Sequence, residues 1–80
     1  MAQFYLHIHN DHGDAEDEEG IQAKSLSEAR ELAIAGIRSL LSAEVTNGEL
    51  NLNGRIDISD ETRTVVLKVP FAEALTIRGR

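Results

Sequence analysis

The stretch "SLSEARELAIAGIRSLLSAEV", residues 25–45, decides the fold. Ser25 is a favoured helix N-cap, and Glu28, three residues on, completes a capping box. At about 100° per residue, Leu26, Ala29, Ala33, Ile37, Leu40 and Leu41 fall on one arc, with Ile34 and Val45 at its edge. Glu28, Glu31, Arg38, Ser39 and Ser42 fall opposite. Asn47 and Gly48 supply the stop, since glycine takes the left-handed conformation freely. The spacing predicts an amphipathic helix over residues 26–46, about 31 Å long at about 1.5 Å per residue.

An amphipathic helix needs an apolar surface to cover, and the flanking segments offer a sheet. In "QFYLHIH", residues 3–9, Phe4, Leu6 and Ile8 alternate with Tyr5, His7 and His9, the pattern of a strand with one buried face. "NDHGD" then turns the chain, and Ile21–Ala23 can return as a short edge strand beside the first. "RIDIS" and "TVVLKV" read as two strands joined by the polar turn "DETR". Ile56 and Ile58 are expected to face the core from one, and Val65, Leu67 and Val69 from the other. Pro70 ends the pairing because it has no N–H to donate. "FAEAL", residues 71–75, is expected to close the core with Phe71 and Leu75. The expected fold is α+β. It is a two-layer sandwich of one long helix on a small, mostly antiparallel sheet, in the order strand, edge strand, helix, strand, strand. The last strand is expected to lie antiparallel to the first.

Size and composition narrow the function classes. Eighty residues make one domain, residues 1–80, and a chain this short buries only about 60% of its unfolded surface. With no Trp, one Tyr and two Phe, the core must be aliphatic. The absence of Cys excludes disulfides, thiolate zinc sites and a Cys nucleophile. No signal peptide or run long enough to span a membrane is visible, which implies a cytoplasmic protein without a membrane partner. The net charge of −6 makes nucleic acid an unfavourable partner.

All three histidines and six of the fourteen acidic residues crowd into "HIHNDHGDAEDEEG", residues 7–20. On a strand, His7 and His9 point to one face, about 6.6 Å apart along the chain. Such a pair can share a zinc, nickel or copper ion, with Asp11, His12 or Asp14 adding a third ligand if the loop folds back. The simpler reading places both rings on a solvated sheet face. A calcium loop fails, because a central Gly20 or Gly13 puts Ala15 or Ile8 at the first ligand position. Asp14, Glu16, Asp17, Glu18 and Glu19 form a self-repelling run expected to stay extended and to suit a basic protein. No phosphate-binding glycine motif appears, and Ser25 and Ser27 are explained by the helix start, so no enzyme is expected. The helix arc is broad, with Arg30 and Glu44 near it and Leu32 at its far edge. Either a second copy or partner meets an exposed stripe, giving a possible homodimer, or "FAEALTI" and "ELNLN" cover it.

The segments "FYLHIHN" (4–10), "DEEGIQAKSLSEAR" (17–30), "NGRIDISDE" (53–61) and "VLKVPFAEAL" (66–75) resemble a family of small bacterial proteins without an assigned function. Its members pair an aromatic-His opening strand and a "DEEG" loop with a capped Ala/Arg-rich helix, a "GRI" strand and a closing "PF-DA" segment. The resemblance spans nearly the whole chain and implies the same fold. This chain departs from it at His9, where a basic residue is common, near Arg63, where a Gly is common, and near Lys24, where a Pro is common. A His7–His9 pair is therefore not a family-wide feature. The leading expectation is a non-catalytic binding or regulatory module acting through protein contacts, without a cofactor. The alternative is a zinc- or nickel-binding domain using His7 and His9.

Overall fold

The structure is a computed structural model that describes residues 1–79. Its elements run β1 (Ala2–Asn10), β2 (Gly13–Ala15), β3 (Ile21–Ala23), α1 (Leu26–Thr46), β4 (Gly54–Ser59), β5 (Val65–Pro70) and a 3-10 turn, Phe71–Ala74. One helix lies on one face of a five-stranded antiparallel sheet, an α+β fold.

The helix bounds follow from its caps. Ser25 is extended (φ −159°, ψ 167°), and its Oγ accepts the Glu28 N–H at 3.2 Å. The Glu28 carboxylate reaches back to the N–H of Lys24, one residue before the cap, at 3.0 Å. At the other end Gly48 takes φ +83°, and the N–H groups of Asn47 and Glu49 both donate to the Glu44 carbonyl. Ala29, Ala33, Ile34, Ile37 and Leu41 are buried. The two alanines have no exposed surface, so the helix backbone approaches the sheet closely there.

β1 is paired on both edges. β4 runs along one edge from Tyr5↔Ser59 to Asn10↔Gly54. β2 and β3 share the other, in registers Ile8↔Ala15 and Phe4↔Ile21. Between those pairs β1 has three residues and the returning chain has five, Glu16–Gly20, so the acidic stretch is an outward bulge in one interrupted edge strand.

Two strand expectations are corrected. The last strand is not antiparallel to the first: β4 pairs with β1, and β5 is the outer strand, running in the same direction as β1. Ile56 to Ser59 are all buried, which suits a central strand, whereas Pro70 suits an edge. Val65 does not face the core either. The β4–β5 register shifts between Ile58↔Leu67 and Ser59↔Val65, leaving Val66 as an extra residue. A bulge of one residue turns Val65 to the opposite face, where it is 45% exposed.

The 3-10 turn closes the core. Phe71 is buried with its ring against Gly54, where a Cβ would lie 2.5 Å from Phe71 Cε2 and 2.9 Å from the His9 carbonyl. The Arg38 guanidinium donates to the Ala74 carbonyl at 2.8 Å, and Arg30 pairs with Glu73 at 3.0 Å. "FAEAL" therefore covers the helix flank, while Leu32, Val45, Leu50 and Ile77 stay exposed.

Candidate functional site

The face of the sheet away from α1 has no covering layer. Strand alternation and register set its residues: Tyr5, His7 and His9 on β1, then Ser59, Asp57 and Arg55 opposite them on β4. Val65 follows on β5, and Asp14 sits beside His9 on β2. The side chains of β1 are only half-buried here.

The acidic bulge is tied to this face by Asp17. Its Oδ2 accepts the Leu6 N–H at 3.0 Å, and its Oδ1 accepts the Gly20 N–H at 2.8 Å. The first bond replaces the ladder partner that Leu6 lost where the edge strand bulges. The Asp17 N–H in turn donates to His7 Nδ1 at 3.0 Å. Partial burial pushes the Asp17 carboxyl up. The N–H groups of Leu6, Gly20 and Glu19, with His7 nearby, outweigh this and hold it below the usual aspartate value. Gln3 adds a bond from its amide to the Glu19 carbonyl at 2.9 Å and pairs with Gln22. Gly20 completes the bulge at φ +77°, where a Cβ would lie 2.7 Å from the Phe4 carbonyl.

The five acids expected to act alike therefore divide. Asp17 points inward and holds the loop, Asp14 meets His9, and Glu16, Glu18 and Glu19 are exposed. The run is an anchored ridge, not the loose self-repelling segment its charge pattern suggests.

The histidines are engaged separately. His7 Nδ1 accepts from Asp17, so a neutral His7 carries its proton on Nε2. Its ring stacks on Tyr5, with centroids 6.3 Å apart and planes 5° from parallel. His9 contacts Asp14 through Nδ1 at 2.7 Å and Asp57 through Nε2 at 3.1 Å. A protonated ring donates to both carboxylates and a neutral ring to one. Asp57 is only 6% exposed and is also held by Arg55 Nε at 2.8 Å. Asp11 and His12 lie in the β1–β2 turn, away from the pair. Asp11 accepts from the Asn51 side chain at 2.9 Å, and the His12 N–H donates to Asn10 Oδ1. Among the described residues, no three His, Asp or Glu side chains are grouped so as to hold a metal ion.

Sequence reasoning gave no functional role to Tyr5, Arg55, Asp57, Ser59 or Arg63, the last noted only as standing near a position where a Gly is common. The Asp60–Thr64 turn places Arg63. Asp60 Oδ1 accepts from the Thr62 hydroxyl and from the N–H groups of Thr62 and Thr64. The Thr62 hydroxyl is the largest influence lowering the Asp60 carboxyl. Arg63 sits at φ +67°, a left-handed conformation a non-glycine residue rarely takes, and its guanidinium lies 4.1 Å from the Tyr5 ring centroid. The result is a groove of about 310 Å³ over His7, His9 and Asp57, with Ser59, Arg63 and Val65 at one end and Asp14, Ala15 and Glu16 at the other. A second, more open hollow of about 550 Å³ lies around the β1–β2 turn, between Asp11, Asn53 and Arg55.

No match to a curated protein or to a solved structure was found. No helix among the described residues is long and apolar enough to cross a membrane. The strands, bulge and turn that build this face, together with α1 and the start of the 3-10 turn, lie within residues 3–72 apart from Ala2 at the start of β1. That stretch matches the family described as Domain of unknown function (DUF6894), and the chain belongs to it.

Proposed function

We propose that the protein is a small, cytoplasmic, non-catalytic binding module that works through protein contacts, receiving a basic surface on the ridge formed by Glu16, Glu18 and Glu19. The observation that carries this reading is the anchoring of the ridge. Asp17 and Gly20 hold the backbone, and the three glutamates make no ion pair among the described residues. A preorganised row of charges loses less entropy on binding than a mobile run. Each exposed pair adds roughly 0–1 kcal/mol, so the larger effect is on association rate.

A non-catalytic reading also suits the sheet face. The ring nitrogens of His7 and His9 meet Asp17, Asp14 and Asp57, and Ser59 is not among their partners, so no nucleophile–base contact is formed. A zinc or nickel site at His7 and His9 has less support, since both ring nitrogens of His9 meet carboxylates and an ion bound there displaces it from Asp14 or Asp57. Calorimetry with zinc would reveal such a site as binding lost in both His7→Ala and His9→Ala.

The test of the ridge is a titration of the isotope-labelled protein with a lysine-rich peptide, followed by NMR. Amide shifts are expected along residues 15–20. The complex should weaken between low and physiological salt and fail to form with Glu16→Gln, Glu18→Gln and Glu19→Gln combined. Binding indifferent to both salt and the triple substitution would reject the ridge.

A further inference from the structure

The groove beside the ridge holds hydrogen-bonding groups that the fold does not use. Ser59 is 2% exposed and lies on the outer face of β4, lining the groove. Its hydroxyl enters no side-chain hydrogen bond among the described residues. No polar side-chain atom sealed from solvent lacks a partner, so this hydroxyl opens into the groove. His7 adds a second donor. With Nδ1 accepting from Asp17, the Nε2–H of the neutral ring has no partner among the described residues. Arg63 adds a third, since its guanidinium rests on Tyr5 and pairs with no carboxylate among the described residues. The left-handed backbone of Arg63 aims it inward at a strained position, a feature that gathers at binding sites. Asp57 does not oppose an anion here, because Arg55 balances its charge and His9 lies between its other oxygen and the groove.

The other end has the opposite character. Asp14 and Glu16 close the groove with two exposed carboxylates, and Val65 gives it an apolar wall. Along β1 the row of His9 and Asp14 lies two residues, about 7 Å, from the row of His7 and four residues, about 13 Å, from the row of Ser59, so the His7 and Arg63 donors are the ones a short ligand reaches from the acidic end. A volume of about 310 Å³ lies at the lower end of the range for small-molecule pockets.

We propose that this groove binds a small zwitterion whose carboxylate and cation are separated by a short aliphatic stem, the class to which free lysine belongs. The carboxylate sits among Ser59, His7 and Arg63, the stem passes beside Val65, and the cation meets Asp14 and Glu16. Charges of both signs, each at its own end, select against simple acids and simple amines. This site shares Glu16 with the ridge but also needs the anion end, so Arg63→Gln should weaken lysine and leave a lysine-rich peptide on the ridge unaffected, which separates the two readings.

The experiment is an NMR titration of the full chain with L-lysine, with L-norleucine, which lacks the side-chain cation, and with 1,5-diaminopentane, which lacks the carboxylate. L-lysine is expected to shift the amides of Ser59, His7, Val65 and Ala15. The two comparison molecules should each bind roughly tenfold more weakly. Arg63→Gln, an exposed substitution that leaves the core untouched, should weaken lysine roughly tenfold and diaminopentane not at all. Glu16→Gln should weaken lysine while leaving norleucine unchanged. The proposal is overturned if L-lysine at about 10 mM, a weak-binding limit, leaves these amides unmoved. It is equally overturned if all three molecules shift them alike, or if Arg63→Gln binds lysine as the parent does.

Discussion

Asp17 is the sharpest test of how the acidic stretch works, because chemistry alone makes it the equal of Glu18 and Glu19. In Asp17→Ala the N–H groups of Leu6 and Gly20 lose acceptors at 3.0 and 2.8 Å. Hydrogen bonds to a charged group contribute about 1.5–3 kcal/mol each when water is excluded. Asp17 is only half-buried, so about 1 kcal/mol each is the appropriate discount, or about 2 kcal/mol together. For a domain of this size 1 kcal/mol moves the midpoint by about 4–8 °C, so Asp17→Ala should melt about 8–16 °C below the parent. Glu18→Gln and Glu19→Gln should stay within about 0.5 kcal/mol of it.

Circular dichroism gives the melting points, and amide hydrogen exchange at Leu6 reports the broken bond directly. The pH dependence supplies a second arm. The folded Asp17 carboxyl titrates below its unfolded value of about 3.9. Its contribution is therefore complete above that value and is lost as pH falls through the lower, folded one. Asp17→Asn should remove this part of the acid sensitivity while keeping the side-chain shape. If Asp17→Ala melts like Glu18→Gln and Leu6 exchanges as before, the bulge is not held by this residue and the anchored-ridge argument fails with it.

Other substitutions probe the rest of the fold. Ile37 is 1% exposed at the middle of the helix–sheet contact, so Ile37→Asp should cost about 4 kcal/mol or more and abolish the cooperative melt; a parent-like melt would mean the helix is rotated. Gly20 and Gly48 are both left-handed, but only at Gly20 would an added Cβ meet backbone, 2.7 Å from the Phe4 carbonyl. Gly48→Ala should therefore cost about 1 kcal/mol and Gly20→Ala clearly more, read as the difference between two urea midpoints. Equal costs would show that the bulge can open to accept a methyl group.

Much of the fold was legible because its signals are local. The Ser25 cap, the Gly48 stop and the apolar arc between them place α1 within the sequence without reference to any other element. The alternation of Phe4, Leu6 and Ile8 likewise fixes which face of β1 meets it. Strand order and register were not legible, for a physical reason. Val65, Val66 and Leu67 all favour strands, so the sequence is compatible with either phase of alternation. The phase is set by the Asp60–Thr64 turn, where Asp60 gathers three donors and Arg63 turns left-handed, and the resulting bulge sends Val65 outward.

The candidate site was legible as a concentration of chemistry but not as an arrangement. The spacing of His7 and His9 correctly puts both rings on one face, yet it says nothing of what each nitrogen meets. That is decided by Asp17, ten residues from His7, and by Asp57, which reaches β1 only through the sheet. Asp57 and Ser59 occupy outward positions of an alternating strand, where solvated side chains are the ordinary expectation. They are buried because β4 is central: Arg55 on the same strand reaches across Asp57, and His9 and the Tyr5–Arg63 stack come from outside it. Asp17 had a recoverable signal: a short carboxylate three residues before a glycine can cap that glycine's N–H, which Glu18 and Glu19 at their spacings do not do. Opening a bulge in an edge strand leaves backbone donors without partners, and a short acid within the bulge is the nearest group able to accept from them. The density of acids in this stretch therefore reflects two separate demands. One carboxylate satisfies the backbone of β1, and the others are left facing outward on a loop whose shape that carboxylate has fixed.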